Sequence, residues 1–321
     1  MIHTRAISST GQLTDDAPPE RIHALLEDRT NTVWLDLESP SEDELGVVAG
    51  IFGWDHLTVE DIAKQGQRAK LEVDDDYAFL VMHVPVYGGV PAKLSTVEVD
   101  FIIGPNYVAT VHYDAVPHIT NNRDLAHHLE AALKGGRDYL LYVLTDQLVD
   151  SYFPVLDAMH EAVEDLEDQI LTNPRDTLMP RIFEMKRDAV MLRKVVSPQL
   201  EVFTRLTAPG YGIVADTMQR HFRDVHDHLI RVFEAMDSYR ELMGSALDAY
   251  LSTVSNRMNE EMKRLTVMAA LFLPITFVTG VFGMNLRVVP LWQDNFFWVL
   301  LLAMLASSVG QFWYFRRKNW V

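Results

Sequence analysis

The sequence predicts an α+β membrane protein in which one very long helix joins an N-terminal cytosolic α/β sandwich to two C-terminal transmembrane helices. Three observations predict this class. β-type and helical runs alternate over the first 115 or so residues, residues 215–273 contain no proline and one glycine, and two uncharged runs occupy residues 265–286 and 296–315. Acidic residues dominate up to about residue 250 and apolar residues after about residue 260, a shift that a membrane part produces.

The first domain, residues 1–123, is predicted to be the sandwich. Runs rich in β-branched and aromatic residues, bounded by Gly, Pro, Asn or Asp, predict strands at 32–37, 77–86, 95–104 and 106–113. Residues 39–53 and 56–66 have the pattern of short helices. In the first of these helices, Ser41 can cap the N-terminus and Glu44 can complete a capping box.

A helical hairpin region is predicted at residues 124–214. The helical pattern extends to residue 206, with breaks expected at Asn-Pro 173–174 and at Ser-Pro 197–198. After a turn at residues 208–212, residues 215–264 form the cytosolic part of the long helix. A helix over residues 215–273 would be roughly 90 Å long, far more than a typical globular helix.

Residues 265–286 and 296–315 are predicted to cross the membrane, joined by an extracytoplasmic loop at 287–295 and followed by a basic tail at 316–321. Runs of 22 and 20 uncharged residues match a hydrocarbon core about 30 Å thick, whereas buried core helices are the alternative. Lys263 and Arg264 precede the first run, and basic residues follow the second. We expect a multi-pass protein of the plasma (inner) membrane, and the positive-inside rule predicts that both termini lie in the cytosol.

Charge and composition narrow the classes of function. A formal net charge of −17 favours cations as partners and does not favour nucleic acid. The absence of cysteine excludes disulfides and thiolate metal sites. The sequence also contains no phosphate-binding glycine loop, nucleophile elbow or zinc-protease helix, so we do not expect an enzyme.

The long helix carries a stripe of small or polar residues, interrupted by the apolar Met262 and Leu273, that continues into the first apolar run. Alternating steps of three and four give Asn259, Met262, Thr266, Ala269, Leu273, Thr276, Gly280 and Gly283. We call this set the neutral stripe. A lipid-facing surface would hardly contain two threonines and two glycines, so the stripe indicates a pore lining. Close packing of helices through small residues is the alternative.

These features resemble the CorA family of divalent-cation channels. The resemblance covers nearly the whole chain, including residues 56–81, DYLLYVLTDQLVDSYF (138–153), residues 255–280 and the ending RRKNWV, and its most specific motif is Gly283-Met284-Asn285. It implies a funnel-shaped homopentamer in which the first span lines the pore and the second faces membrane lipid.

The resemblance also implies roles for residues along the pore. The ring of Gly283, Met284 and Asn285 would form the outer mouth and recognise hydrated Mg²⁺, with Asn285 as the selectivity residue. Candidate gate and pore residues are Asn259, Met262, Leu265, Thr266, Leu273 and Thr276. Neutral amides suit this task, because Mg²⁺ loses water reluctantly and a carboxylate would hold the ion too tightly. A polar helix cap by Asn285 is the alternative.

In the family, Mg²⁺ between neighbouring cytosolic domains holds the channel closed. The acidic positions to which this role transfers are Glu60 and Asp61, facing Asp224 of a neighbour, and Asp248 near the pore entrance. Alternatively, they are ordinary solvated carboxylates. His221, Asp224 and His228 share one helix face, where the spacing could ligate a transition ion, although surface polar residues are the favoured interpretation.

The sequence departs from many Mg²⁺ members after the tripeptide, because LRVVPLWQDNFF lacks the expected glutamate beside Pro290. Mg²⁺ is the leading transported and regulatory ion, with Co²⁺, Ni²⁺ or Zn²⁺ as further candidates. A Zn²⁺ transporter like the ZntB branch is one alternative function. A membrane-anchored divalent-ion sensor or scaffold without conduction is another, since it would not need the neutral stripe.

Overall fold

The computed structural model describes residues 2–8, 11–15, 19–88, 93–116, 123–208, 212–284, 294–318 and 320. The chain divides into two compact units. The first comprises Met1–Asp168 and Thr177–Ser245, and the second comprises Gln169–Asp176 and Ala246–Val321.

The first unit contains a mixed seven-stranded sheet. Its strands are β1 (Ile2–Ile7), β2 (Leu13–Asp15), β3 (Thr32–Glu38), β4 (Lys70–Val73), β5 (Ala78–Gly88), β6 (Lys93–Ile103) and β7 (Tyr107–His112), in the order β2-β1-β3-β7-β6-β5-β4. β3 and β7 pair in parallel, with Leu35 opposite Ala109, and the other neighbours are antiparallel. The four predicted strands are confirmed. β1, β2 and β4 were not predicted, because they lie towards the sheet edges and lack a continuous β-branched run.

Helices cover both faces of this sheet, which confirms the predicted α/β sandwich. On one face, α1 (Pro19–Glu27), α2 (Glu42–Phe52) and α3 (His56–Lys64) share a core with alternate strand residues such as Leu35 and Phe79. The opposite face, with buried residues such as Leu80 and Phe101, lies against α4 (Arg123–Lys134), α5 (Arg137–Asp150) and α7 (Leu178–Leu206). The capping box predicted for Ser41 and Glu44 begins α2.

Of the two helix breaks predicted in the helical region, the structure has one. α6 (Tyr152–Thr172) ends before Asn-Pro 173–174, as expected. The break expected at Ser-Pro 197–198 is wrong, because α7 runs through Pro198. A proline removes one helical hydrogen bond. Here the next residue anchors the helix: the buried Gln199 side chain accepts from the backbone N–H of His83 at 3.3 Å and donates to the Tyr152 hydroxyl at 3.0 Å.

Two long helices complete the described chain. A short 3-10 turn, Asp216–Met218, precedes α8 (Gln219–Gly283), which is 65 residues long and continues through Pro274. α9 spans Asp294–Arg317. The very long helix and the two C-terminal apolar helices that the sequence predicts are therefore present.

Candidate functional site

The C-terminal part of α8 and the helix α9 are long and apolar enough to cross a membrane. Their most apolar windows are 6% and 0% buried within the chain. Core helices of a soluble domain bury such windows, so the alternative of two buried core helices does not describe this molecule. The exposed apolar surface requires lipid or neighbouring copies of the chain.

The neutral stripe lies on an exposed side of α8. Met262 is 55% exposed and Leu273 is 71% exposed, and Thr266, Thr276 and Gly280 are exposed as well. The less accessible residues of the same stretch form a different stripe with helical spacing, namely 267, 270, 271, 274, 275, 278, 281 and 282. Within one chain, the candidate pore lining is therefore left uncovered.

The threonine hydroxyls along this stretch bond to their own helix. Thr266 donates to the Met262 carbonyl at 2.7 Å, and Thr276 donates to the Phe272 carbonyl at 2.9 Å. A hydroxyl has one proton and two acceptor lone pairs. Because the proton is used within the helix, each oxygen presents only acceptor capacity outward, which suits a cation or the hydrogens of its bound water.

The candidate selectivity motif begins where α8 ends. Gly283 is the last residue of the helix, and the N–H of Met284 donates to the Gly280 and Val281 carbonyls at 3.2 and 3.3 Å. The Met284 side chain is 58% exposed. Asn285 and the loop that follows, up to residue 293, lie outside the described residues, so the selectivity role of Asn285 stays a prediction.

Two candidate regulatory acids on α3 have lysine partners within the chain. Glu60 is paired with Lys64, which lowers the Glu60 pKa by hydrogen bonding and charge. An Asp61 oxygen lies 2.5 Å from Lys70 Nζ, and the other accepts from Gln67 Nε2 at 3.3 Å. A regulatory ion at either carboxylate would have to compete with a lysine.

The other candidate acids are more open. Asp224 and Asp248 are exposed on α8, and neither has an ion-pair partner among the described residues. Asp224 lines a polar cavity of about 570 Å³ together with Tyr142 and His221. His221 packs edge-on against Tyr142, with ring centroids 4.9 Å apart, while His228 lies beside acidic residues of α5. The His221–Asp224–His228 set considered from the sequence is therefore not the group that the structure brings together.

Asp146, Asp150 and His228 form a candidate metal centre. One potential ligand atom from each lies within 4.8 Å of the other two. His228 Nδ1 is 3.1 Å from Asp150 Oδ1 and 4.0 Å from Asp146 Oδ1. The two aspartates are four residues apart on α5 and share a face, and α8 supplies the histidine. Two carboxylates and one imidazole form a donor set for divalent first-row metals, and with retained waters also for Mg²⁺.

The electrostatics of this centre fit a bound cation. Asp146 Oδ1 is buried without a hydrogen-bond partner. Burial, followed by the negative charge of Asp150, raises the pKa of Asp146 to about 6, while a positive charge on His228 opposes the shift. A divalent ion would supply the missing partner and offset the repulsion. Sequence reasoning selected His228 but missed both aspartates, although their i, i+4 spacing within DYLLYVLTDQLVDSYF was a usable signal.

Known proteins resemble this chain along nearly its full length. Residues 30–317 match the family model described as CorA-like Mg²⁺ transporter protein. YfjQ of Bacillus subtilis, named as a metal ion transporter, is 31% identical over 322 residues, covering 100% of this chain and 98% of the relative. The cobalt/magnesium transport protein CorA of Thermotoga maritima is 32% identical over 297 residues, covering 92% of this chain and 85% of the relative.

A solved structure shows the same fold. The CorA magnesium transporter from Methanocaldococcus jannaschii superposes with a TM-score of 0.82 at 22% identity, covering 100% of this chain and 99% of the other. The fold, the two apolar helices and the relatives define the class as a membrane transporter, not an enzyme. The chain belongs to the CorA family.

Proposed function

We propose that this chain is a divalent-cation channel that carries Mg²⁺ across the plasma membrane as a homopentamer, with Co²⁺ and Ni²⁺ as further substrates. The observation that carries the proposal is the exposed neutral stripe of α8. It supplies oxygen acceptors at Thr266 and Thr276 and no charged side chain between Leu265 and Met284. The match to the CorA-like Mg²⁺ transporter family and the similarity to the cobalt/magnesium transport protein of Thermotoga maritima support Mg²⁺ and Co²⁺ as cargo.

Conduction follows from weak contacts with a hydrated ion. Mg²⁺ usually keeps several waters in protein sites. Side-chain amides of Asn285 at the outer mouth would accept hydrogen bonds from those waters, and Gly283 and Met284 would shape the loop. Threonine oxygens further along would do the same. Because the neutral stripe contains no carboxylate, an ion on it is held weakly enough to leave.

In this proposal, rings of apolar side chains on α8 close the channel. Met262 and Leu273 interrupt the polar residues of the stripe, and Leu265 is the next candidate. A narrow apolar ring expels water and so bars a hydrated ion. Asn259 would form a polar ring on the cytosolic side of this gate. Asp248 lies eleven residues before Asn259 on the same helix.

Regulation by cytosolic Mg²⁺ is the second part of the proposal. The Asp146–Asp150–His228 centre supports it, because its donor set and its unpartnered buried oxygen fit a divalent ion. Asp224 adds negative charge that raises the Asp146 pKa further. Asp224 would receive an ion shared with Glu60 or Asp61 of a neighbouring copy. Ions bound there stabilise the closed form to the extent that they bind it more tightly.

The transport proposal is tested by ion flux into proteoliposomes. The purified chain should admit Mg²⁺, and a panel of Mg²⁺, Co²⁺, Ni²⁺ and Zn²⁺ ranks the ions, with Zn²⁺ first if the ZntB-like alternative holds. Asn285→Ala should lose most of this flux while size-exclusion chromatography shows an unchanged oligomer. A correctly assembled parent that admits no divalent ion would favour the sensor or scaffold alternative.

A further inference from the structure

The first unit contains a cationic cavity on which neither transport nor its proposed regulation depends. It has a volume of about 750 Å³ and lies between residues 66–69, β5, α7 and α8. The charged side chains that line it are Arg68, Arg193, Lys194 and Arg240, and no carboxylate lines it among the described residues. The chain has 45 acidic and 28 basic residues, so a cluster of four basic side chains is unexpected in it.

About half of this positive charge is left without a partner among the described residues. Arg193 Nε and Arg240 Nη2 share one carboxylate oxygen, Asp237 Oδ1, at 2.8 and 3.4 Å. Arg68 and Lys194 are exposed and have no ion-pair partner among the described residues. A second carboxylate, Glu98, lies behind the cavity, where it accepts from the backbone N–H of the lining residue Gln67 at 2.8 Å and lies 3.6 Å from His83 Nε2. Four cations and two nearby carboxylates leave a surplus of about two positive charges, which repel one another unless an anion is present.

The cavity also has an apolar wall on α7. Val190, Met191, Val195 and Pro198 line it, and Val190 is 47% exposed. An inorganic anion would use the cations and leave this wall in contact with water. A ligand that carries a flat apolar group as well as negative charge would cover both surfaces.

We infer that this cavity binds an organic polyphosphate of the nucleotide class. Arginine guanidinium groups suit phosphate because their planar donors match two phosphate oxygens at once, and Lys194 adds a flexible point charge. The base of the nucleotide packs on the α7 wall. The volume lies within the roughly 300–1,000 Å³ of small-molecule sites.

The test is calorimetric titration of the full-length chain in detergent with ATP, tripolyphosphate and adenosine. Free Mg²⁺ is buffered to one value throughout, because ATP chelates Mg²⁺ and the metal centre would otherwise respond. ATP is expected to bind, tripolyphosphate to bind more weakly, and adenosine not to bind. The affinity for ATP should fall as salt is raised, since exposed charges are screened.

Variants locate the binding. Arg68→Glu with Lys194→Glu should weaken ATP binding at least tenfold. The matched control is Arg231→Glu, an exposed arginine of α8 that does not line the cavity, and it should leave affinity unchanged. Should the double variant fold poorly, Lys194→Gln alone should still weaken binding at least threefold.

Three results would overturn the inference. ATP could fail to bind the parent, ATP could bind the double variant as tightly as the parent, or adenosine could bind as tightly as ATP. A double variant that changes the oligomeric state, beside a parent that binds no ATP, would show that these cations pair with a neighbouring copy instead.

Discussion

At the scale of single residues, two threonine hydroxyls near the neutral stripe both donate within their own helix. Thr276 lies on the stripe and donates to the Phe272 carbonyl at 2.9 Å, whereas Thr279 lies off it and donates to the Ile275 and Thr276 carbonyls, each at 3.0 Å. Both are exposed in the single chain. Because both hydroxyl protons are used within the helix, a loss of flux confined to the Thr276 substitution reports what that residue faces in the assembled protein.

We predict that Thr276→Val lowers Mg²⁺ flux several-fold, because valine removes the outward acceptor while keeping the side-chain shape. Thr276→Ser should restore the flux, because it returns the oxygen. Thr279→Val serves as the control and should conduct like the parent. Initial rates of Mg²⁺ entry into proteoliposomes measure all four proteins, and equal loss in the two valine variants would remove the acceptor role of Thr276.

Asp146 is the residue whose protonation should couple metal binding to pH. Its pKa is raised to about 6 from 3.8, first by burial and then by Asp150. The folded chain therefore binds more protons than the unfolded chain between these values, and stability falls as pH rises through this window. A shift of this size corresponds to about 3 kcal/mol. A divalent ion at neutral pH should restore the loss.

We predict that Asp146→Asn flattens the fall in melting temperature between pH 4.5 and pH 7. The variant should also gain much less than the parent from Co²⁺ or Mg²⁺ at pH 7. Asp157→Asn, which changes an exposed carboxyl of α6, is the control and should behave like the parent. Thermal unfolding followed by circular dichroism gives these values. If the parent and Asp146→Asn share both the pH slope and the metal response, the centre does not bind the ion.

At the scale of elements, the C-terminal part of α8 has two faces that differ in residue type. The partly covered face at 267, 270, 271, 274, 275, 278, 281 and 282 contains only apolar residues, whereas the neutral stripe carries threonines and glycines as well as Met262 and Leu273. Leu273 of the stripe is as exposed as its off-stripe neighbour Phe272, at 71% and 63%. Burial within one chain thus gives no reason for Leu273 to lie between two threonines, whereas a dewetting gate does.

We predict that Leu273→Asn raises resting Mg²⁺ leak at high internal Mg²⁺, when the channel should be closed, because an amide wets the constriction. Phe272→Asn places the same amide one residue away, off the stripe, and should not raise it. Leak is measured in proteoliposomes loaded with Mg²⁺. A gate at Leu273 is contradicted if both variants hold the gradient as well as the parent, and Leu265 would then be the next residue to change.

Local patterns gave much of the architecture but not the contacts between distant elements. The strands with continuous β-branched runs, the Ser41 cap and the uninterrupted helix through residue 273 could be predicted, because each depends on neighbours in sequence. Pro198 misled the prediction, because the Gln199 contacts that hold α7 together reach residues 47 and 116 positions away. Asp150 and His228 are 78 residues apart, and no local pattern brings them together.

At the scale of the whole molecule, the proposed pore needs more than one copy of the chain. The apolar windows of α8 and α9 are almost entirely exposed, and all eight residues of the neutral stripe are exposed as well. Lipid accounts for one exposed surface, but lipid tails offer no hydrogen-bond donor to the acceptor oxygens of Thr266 and Thr276. Symmetric assembly around the stripe gives those oxygens water and ions to face, which is why the proposal requires several copies of the chain.

The chain has no cysteine, so an introduced cysteine is the only thiol that a reagent can modify. The most direct test of the central claim is block of Mg²⁺ flux by Cd²⁺ or a cationic thiol reagent in single-cysteine variants along α8. We predict block at Ala269, Leu273 and Thr276, and none at the equally exposed Met268, Phe272 and Phe277. Block with the opposite pattern, or at all six positions alike, would contradict the account that the neutral stripe lines the path of the ion.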